Sequence, residues 1–258
     1  INTNVLSHRI NCKPSLTPFT FTAGSAAISF NSFDGNLYYT RIVNMGGGIF
    51  NSYVWKWLPT VCPNSGPALD TVKMFPNMFV AGAEFDPATG LAYQLNLIGP
   101  SGGPYDMQLQ QVNYTTGVLG ASIPINFGGR KIYRGSGDMI LTPAGQLLAI
   151  FDNKYFAINW QNYGIGALNA TYIDSLVFGA NNYLVGLSFS GGKLVGSIRN
   201  ALASTPCTYN EIDILTGNQS AITQTSGNFS SYDMTNIGTG IGSAKELISA
   251  VENPVGSG

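Results

Sequence analysis

Charge is what this sequence has least of. Asp, Glu, Lys and Arg make up 10% of its 258 residues, against about a quarter in an average globular chain, and the net charge is −1. Long amphipathic helices need Glu, Lys and Arg on their solvent faces, so they are not expected. A balance this near zero supplies no basic field, and neither nucleic acid nor an anionic membrane is expected as a partner. No apolar run reaches the roughly 18 residues that a membrane-spanning helix requires, so no direct membrane insertion is expected.

Histidine occurs once, as His8, so a Ser-His-Asp or Cys-His arrangement would have to use it. No catalytic role is expected for it. The three cysteines, Cys12, Cys62 and Cys207, are far apart and form no Cys-x-x-Cys pair, which argues against zinc or iron–sulfur ligation. One disulfide with a free thiol, and three buried thiols, both remain open. The glycine runs at Met45–Gly48 and Gly238–Gly242 lack the Lys-Ser/Thr of a phosphate loop. No cofactor and no metal are expected.

Glycine is plentiful (32 residues), as are Asn, Ser and Thr, a composition suited to short strands joined by tight turns. The clearest unit is Ala83-Glu-Phe-Asp-Pro-Ala-Thr-Gly-Leu-Ala-Tyr93, which reads strand, turn, strand. Pro87 presets φ for the turn, and Gly90 can take positive φ without steric cost. Shorter versions occur at Ile28–Tyr39, Met139–Ala149 and Leu187–Gly196. Their turn glycines, Gly35, Gly90, Gly145 and Gly192, are separated by 55, 55 and 47 residues. A second hairpin, Val112-Asn-Tyr-Thr-Thr-Gly117, has a counterpart in Ile212-Asp-Ile-Leu-Thr-Gly217, each at a similar offset from the first.

A period near fifty with several short strands per unit predicts an all-β fold, a small β-propeller of about five blades closed by its terminal strands. The first blade takes strands at 25–30, 37–43, 50–58 and 70–75. The second takes 79–85, 91–98, 107–114 and 118–125. The third takes 139–141, 147–151, 155–160 and 167–173, and the fourth 183–189, 194–199, 209–215 and 220–223. Residues 228–236 read as a last strand or seam, and a strand within 1–24 is expected to help close the ring. Residues 1–241 form the propeller in this reading, and 242–258 a linker or the start of a following Ig-like repeat. Ile at position 1, scarce lysine and abundant Asn and Thr point to a mature secreted protein or an excised domain in an extracellular, cell-surface setting. Sequons at Asn113, Asn169, Asn218 and Asn228 are expected by chance in such a composition.

The pattern carried by Phe33-Asp-Gly-Asn-Leu-Tyr38, Phe85-Asp-Pro-Ala-Thr-Gly-Leu-Ala-Tyr93 and Ile212-Asp-Ile-Leu-Thr-Gly217 resembles the propeller-like N-terminal domains of large secreted surface proteins in Bacteroidota. Ser231-Tyr-Asp-Met-Thr-Asn236 is similar to the ending of such domains, with Asn236 where they carry Cys. The tail from Gly242 to Gly258 resembles the start of an Ig-like tandem repeat. The resemblance implies export by the type IX system, with the secretion or outer-membrane machinery as a partner. It implies no catalytic residues.

Asp34, Asp86 and Asp213 recur at hairpin turns, where an Asp side chain caps backbone N–H groups. One carboxylate per turn is too few for a calcium loop. Asp106, Asp138 and Asp233 each precede a methionine. Placed at inner-strand starts, they would line a propeller funnel and could hold a sugar or act as an acid/base pair. Most of the aromatics (12% of the chain) fit inter-blade core. Trp55 and Trp57, at i, i+2 on one sheet face, are the candidate ligand-stacking pair. The candidate ligand-binding set is therefore Trp55, Trp57, Asp106 and Asp138, with no catalytic residue assigned. The leading expectation is a non-catalytic binding or display head of a surface adhesin, contacting glycan or protein. The alternatives are a glycan-active hydrolase or lyase using funnel carboxylates, and a structural cap on a repeat filament.

Overall fold

The computed structural model describes residues 25–57, 69–100, 103–190, 193–200, 202, 208–222, 231–237 and 246–251. The terminal strand expected within 1–24, His8 and all three cysteines lie outside them. The described chain is all-β apart from one 3₁₀ turn, Trp160–Asn162. It forms consecutive antiparallel meanders. The first contains β1 (Ser25–Asn31), β2 (Asn36–Gly46), β3 (Ile49–Trp57) and β4 (Leu69–Phe75). The second contains β5 (Phe79–Phe85), β6 (Ala92–Ile98), β7 (Asp106–Asn113) and β8 (Val118–Asn126). The third contains β9 (Gly137–Leu141), β10 (Leu147–Phe151), β11 (Lys154–Ile158) and β12 (Leu168–Ser175). The fourth contains β13 (Asn182–Ser190), β14 (Lys193–Asn200), β15 (Thr208–Ile212) and β16 (Gln219–Ile222). Last come β17 (Ser231–Ile237) and β18 (Glu246–Val251), paired with each other. The strand within the 242–258 tail thus joins β17.

The first strand of each meander packs against the first strand of the next, β1 on β5, β5 on β9, β9 on β13 and β13 on β17, and β17 returns to β1. Such a ring of inner strands makes a radial array, not a sandwich. Burial follows from it. β9 and β10 are buried along almost their whole length, whereas the fourth strand β8 is exposed at most positions. β8 and β12 also meet in parallel over Leu168↔Ile125 and Asn169↔Asn126, which joins the second and third meanders into one eight-stranded sheet.

Strand alternation sends one strand into two cores. On β10, Leu147, Ala149 and Phe151 pack with Leu95, Met107 and Leu109 of the second sheet. Leu148 and Ile150 face the other way, onto Leu184, Leu187 and Leu194 of the fourth. Between the first and second sheets the filling is aromatic: Tyr38 and Phe75 against Phe85 and Tyr114. Burial pushes the phenols of Tyr38, Tyr114 and Tyr155 well above their ordinary titration range. These cores take up most of the described aromatics, as expected.

The turn aspartates act as caps. Asp86 Oδ1 accepts from Ala88 N at 2.9 Å, and Gly90, at φ +68, donates to Asp86 O at 2.8 Å. The Asn113 and Asp213 turns share one geometry. Asn113 Oδ1 accepts from Thr115 N and Thr116 N, and Asp213 Oδ1 from Leu215 N and Thr216 N. The Thr216 hydroxyl also donates to Asp213 Oδ1 at 2.8 Å. This bond first, then the Thr216 backbone N–H, holds the Asp213 carboxyl below its usual range. A lowered folded-state value makes the carboxylate stabilising above the unfolded value, about 3.9, and that contribution is lost as pH falls through the folded value. Asp213→Asn keeps the Asn113-type cap without a titrating group. Thermal melts from pH 6 to pH 2 should therefore show wild type losing stability relative to Asp213→Asn on acidification; parallel curves would remove this role.

β9 opens on Gly137 at φ +152, where an added Cβ would meet Ile150 O at 2.1 Å. Gly137→Ala should cost about 2–4 kcal/mol in urea unfolding. A loss under about 0.5 kcal/mol, the size of an ordinary surface substitution, would contradict this packing.

Candidate functional site

Antiparallel order sorts the connections into two ends. The Asp- and Asn-capped hairpins β1–β2, β5–β6, β7–β8 and β15–β16 share one end with the β9–β10 turn and the β11–β12 connection. The opposite end, called here the upper rim, receives the β2–β3, β6–β7 and β10–β11 turns and the β4–β5, β8–β9 and β12–β13 links. Residues 127–136 lead directly into β9, and Tyr105, just before β7, pairs with Ile132 in an isolated bridge.

At the upper half of β9 sits Asp138, 3% exposed. Its Oδ1 accepts from Met139 N and its Oδ2 from Leu187 N on β13, both at 2.7 Å. On the other side β5 offers Gly82, where an added Cβ would lie 3.0 Å from Met139 Cγ and 3.5 Å from Asp138 Oδ1. The carboxylate therefore bridges the third inner strand to the fourth while the second passes close behind. Two backbone donors satisfy a buried anion that would otherwise be costly. Near it, the Ser136 and Ser188 hydroxyls are buried without a hydrogen-bond partner among the described residues.

The other inner strands are bulged near this level. Register shifts fall between Ser25 and Ala27, Val80 and Gly82, Leu184 and Gly186, and Ser231 and Met234. β9 has no such shift against β10. Bulges turn a strand and re-aim its side chains, and they gather near binding sites. The last of them contains Asp233, whose side chain lies outside the described residues. Glu84, on β5, is also buried, but it sits near the hairpin end.

The remaining candidates are scattered. Asp106 is exposed and begins β7, a third strand opposite Ile98, so it lies on the rim and not on an inner strand. Trp55 is 7% exposed, a core position. Trp57 ends β3 opposite Leu37 and Leu69, and its side chain lies outside the described residues. Among the described residues no three His, Cys, Asp or Glu side chains lie close enough to hold a metal ion. A shallow depression lined by Gln146, Asn159, Gln161 and Thr171 lies toward the hairpin end and includes none of these carboxylates.

Two features escaped the sequence reading. Leu187 contributes through its N–H alone, which no side-chain motif signals. The run Gly128-Gly-Arg-Lys-Ile-Tyr-Arg134 concentrates cations in a chain that has few, and that signal was available.

No protein-family model matches the chain, and no curated protein matches it in sequence. In fold it is similar to the crystal structure of a GH43_1 enzyme from Xanthomonas citri, with a TM-score of 0.53 and 10% identity over 87% of this chain and 81% of that one. The xylotriose complex of the Xanthomonas citri enzyme gives 0.53 at 11% identity, covering 87% and 80%. Its xylose complex gives 0.51 at 10% identity, covering 84% and 78%. At such identity the likeness speaks to the fold, and it supports the β-propeller. It also corrects the functional expectation. The chain was expected to be a non-catalytic adhesin head and no enzyme, whereas the solved structures named here, which share its architecture, are of a GH43_1 enzyme.

Proposed function

We propose that this chain is a glycan-active enzyme, a hydrolase or lyase whose sugar chain lies across the upper rim of a five-bladed propeller. Four blades are the four-stranded meanders, and β17 with β18 belongs to the fifth. The observation that carries the reading is Asp138, a buried carboxylate fixed by two backbone N–H groups in the upper half of an inner strand. Likeness in fold to GH43 enzymes, one of them complexed with xylotriose, supports it.

Glycoside cleavage uses two carboxyl groups about 5–10 Å apart, one protonating the leaving oxygen and one activating water or attacking the sugar. Asp138 is the fixed carboxylate at the funnel floor in this proposal. Asp233 is its partner, carried by the bulge of β17 on the far side of β13. Asp106 on the rim orients sugar hydroxyls. The scarce charge and the resemblance to secreted Bacteroidota domains support an extracellular setting.

A second reading, a structural cap, is favoured by one observation. Both oxygens of Asp138 are already satisfied by backbone, so the residue can serve as a pin between blades. Incubation with neutral and acidic oligosaccharides separates the two, with reducing ends and unsaturated products measured. Product release by the wild type is expected, with kcat lowered about 100-fold or more in Asp138→Asn and in Asp233→Asn. Melting curves must show both variants folded, and Asp233→Asn keeps the test informative if Asp138→Asn is unstable. No product from any glycan overturns the enzyme reading and leaves the cap, whereas undiminished rates in both variants overturn the assignment of Asp138 and Asp233 as its catalytic pair.

A further inference from the structure

We infer that the β8–β9 loop, residues 127–136, is a reader of anionic groups on a glycan, so that the preferred substrate is an acidic polysaccharide. The inference rests on the glycan-active reading above and specifies its substrate class. Arg130, Lys131 and Arg134 fall within five residues, although the whole chain holds only 12 Lys and Arg. All three are exposed. The Arg130 guanidinium carbon lies 3.8 Å from the centre of the Tyr172 ring, and no carboxylate pairs with Lys131 or Arg134 among the described residues.

The loop backbone is pinned while these side chains face solvent. Ile132 is fully buried, and its carbonyl accepts from Tyr105 N at 2.6 Å. Tyr133 N donates to Asp152 Oδ2 at 3.2 Å, and Ser136 O accepts from Asp152 N at 3.2 Å. Gly103 lies so close that an added Cβ would stand 2.9 Å from Tyr133 Cα. A solvated charge run needs no such anchoring. A pinned loop carries its cations at fixed positions, which lowers the ordering cost of binding. Tyr133, 54% exposed between Lys131 and Arg134, adds a ring face on which a sugar can stack.

Location gives the cations a partner. The loop runs straight into β9, and Arg134 precedes Asp138 by four residues, at most about 14 Å of extended chain. The carboxylates on the same rim do not cancel the loop. Lys154 Nζ holds Asp152 Oδ2 at 2.6 Å, and Asp174, half-buried near the end of β12, accepts from Ser175 N at 2.8 Å, which leaves Asp106 as the exposed acid on this rim against three cations. Guanidinium groups bind carboxylate and sulfate oxygens through paired N–H donors, and a local cationic rim on a nearly neutral protein draws anions without drawing neutral xylan. The recognised chemistry is therefore a uronate carboxylate or a sulfate ester on a sugar ring.

The test compares binding of oligogalacturonate, a sulfated oligosaccharide, a neutral xylo-oligosaccharide and a single-stranded DNA of matched charge. The variant is Lys131→Ala/Arg134→Ala, two exposed side chains whose loss should leave the melting temperature unchanged. Anionic glycan should bind at least tenfold more tightly than neutral glycan at low salt, and the advantage should vanish in the variant and at high salt. The tighter of the two anionic glycans identifies the group as carboxylate or sulfate. Equal binding of neutral glycan, equal binding of DNA, or an unaffected variant overturns the inference. Loop-dependent anionic binding with no product from any glycan keeps it and removes the enzyme reading. Product from neutral glycan alone, indifferent to the loop, does the reverse.

Discussion

The ring of inner strands is the constraint on which the rest of this molecule depends. A four-stranded meander has two faces and two edges to protect, and this chain has too few charged residues to solvate them. Radial stacking covers the faces, and the circuit β1, β5, β9, β13, β17 and back to β1 covers the inner edges. The fully buried pattern of β10 and the aromatic wedge between the first two sheets are consequences. So is the position of Asp138. A carboxylate on β9 can reach Leu187 N only because β13 lies alongside.

The same closure sorts the surface. Capped hairpins collect at one end, and their Asp and Asn side chains spend their bonding capacity on local backbone. The upper rim takes the links that vary in length, with the 127–136 segment directly above β9. A rigid ring bearing irregular loops at one end is the usual arrangement for a site on a propeller or barrel. The bulges in four inner strands fall near the level of Asp138, and the pinned cationic loop stands above it. Floor, wall and rim are thereby contributed by residues far apart in sequence.

Much of the fold was legible in the sequence because its signals are local. Asp86 and Gly90 announced a turn through their own side-chain and backbone preferences, and the repeat of such turns set the period. The unbroken apolar run Leu147–Phe151 marked a strand, which the structure buries on both sides. The site was less legible because its contacts are not local. Asp138 binds a backbone N–H 49 residues away, which no spacing reveals. Asp106 has the same Asp-Met signature and lies on a third strand. Trp55 looked like a stacking platform by its pattern, and burial makes it core. The adhesin expectation came from turn motifs, which report architecture and say nothing of chemistry.

Native-state hydrogen exchange tests the closed ring most directly. Amides of β17 should exchange with those of β1, β5, β9 and β13 in one slow cooperative class, while the fourth strands β8, β12 and β16 exchange faster. If β17 instead exchanges with the fastest strands while the other inner strands stay protected, the ring is open. Asp138 and the rim would then not be held together by a closed circuit of inner strands.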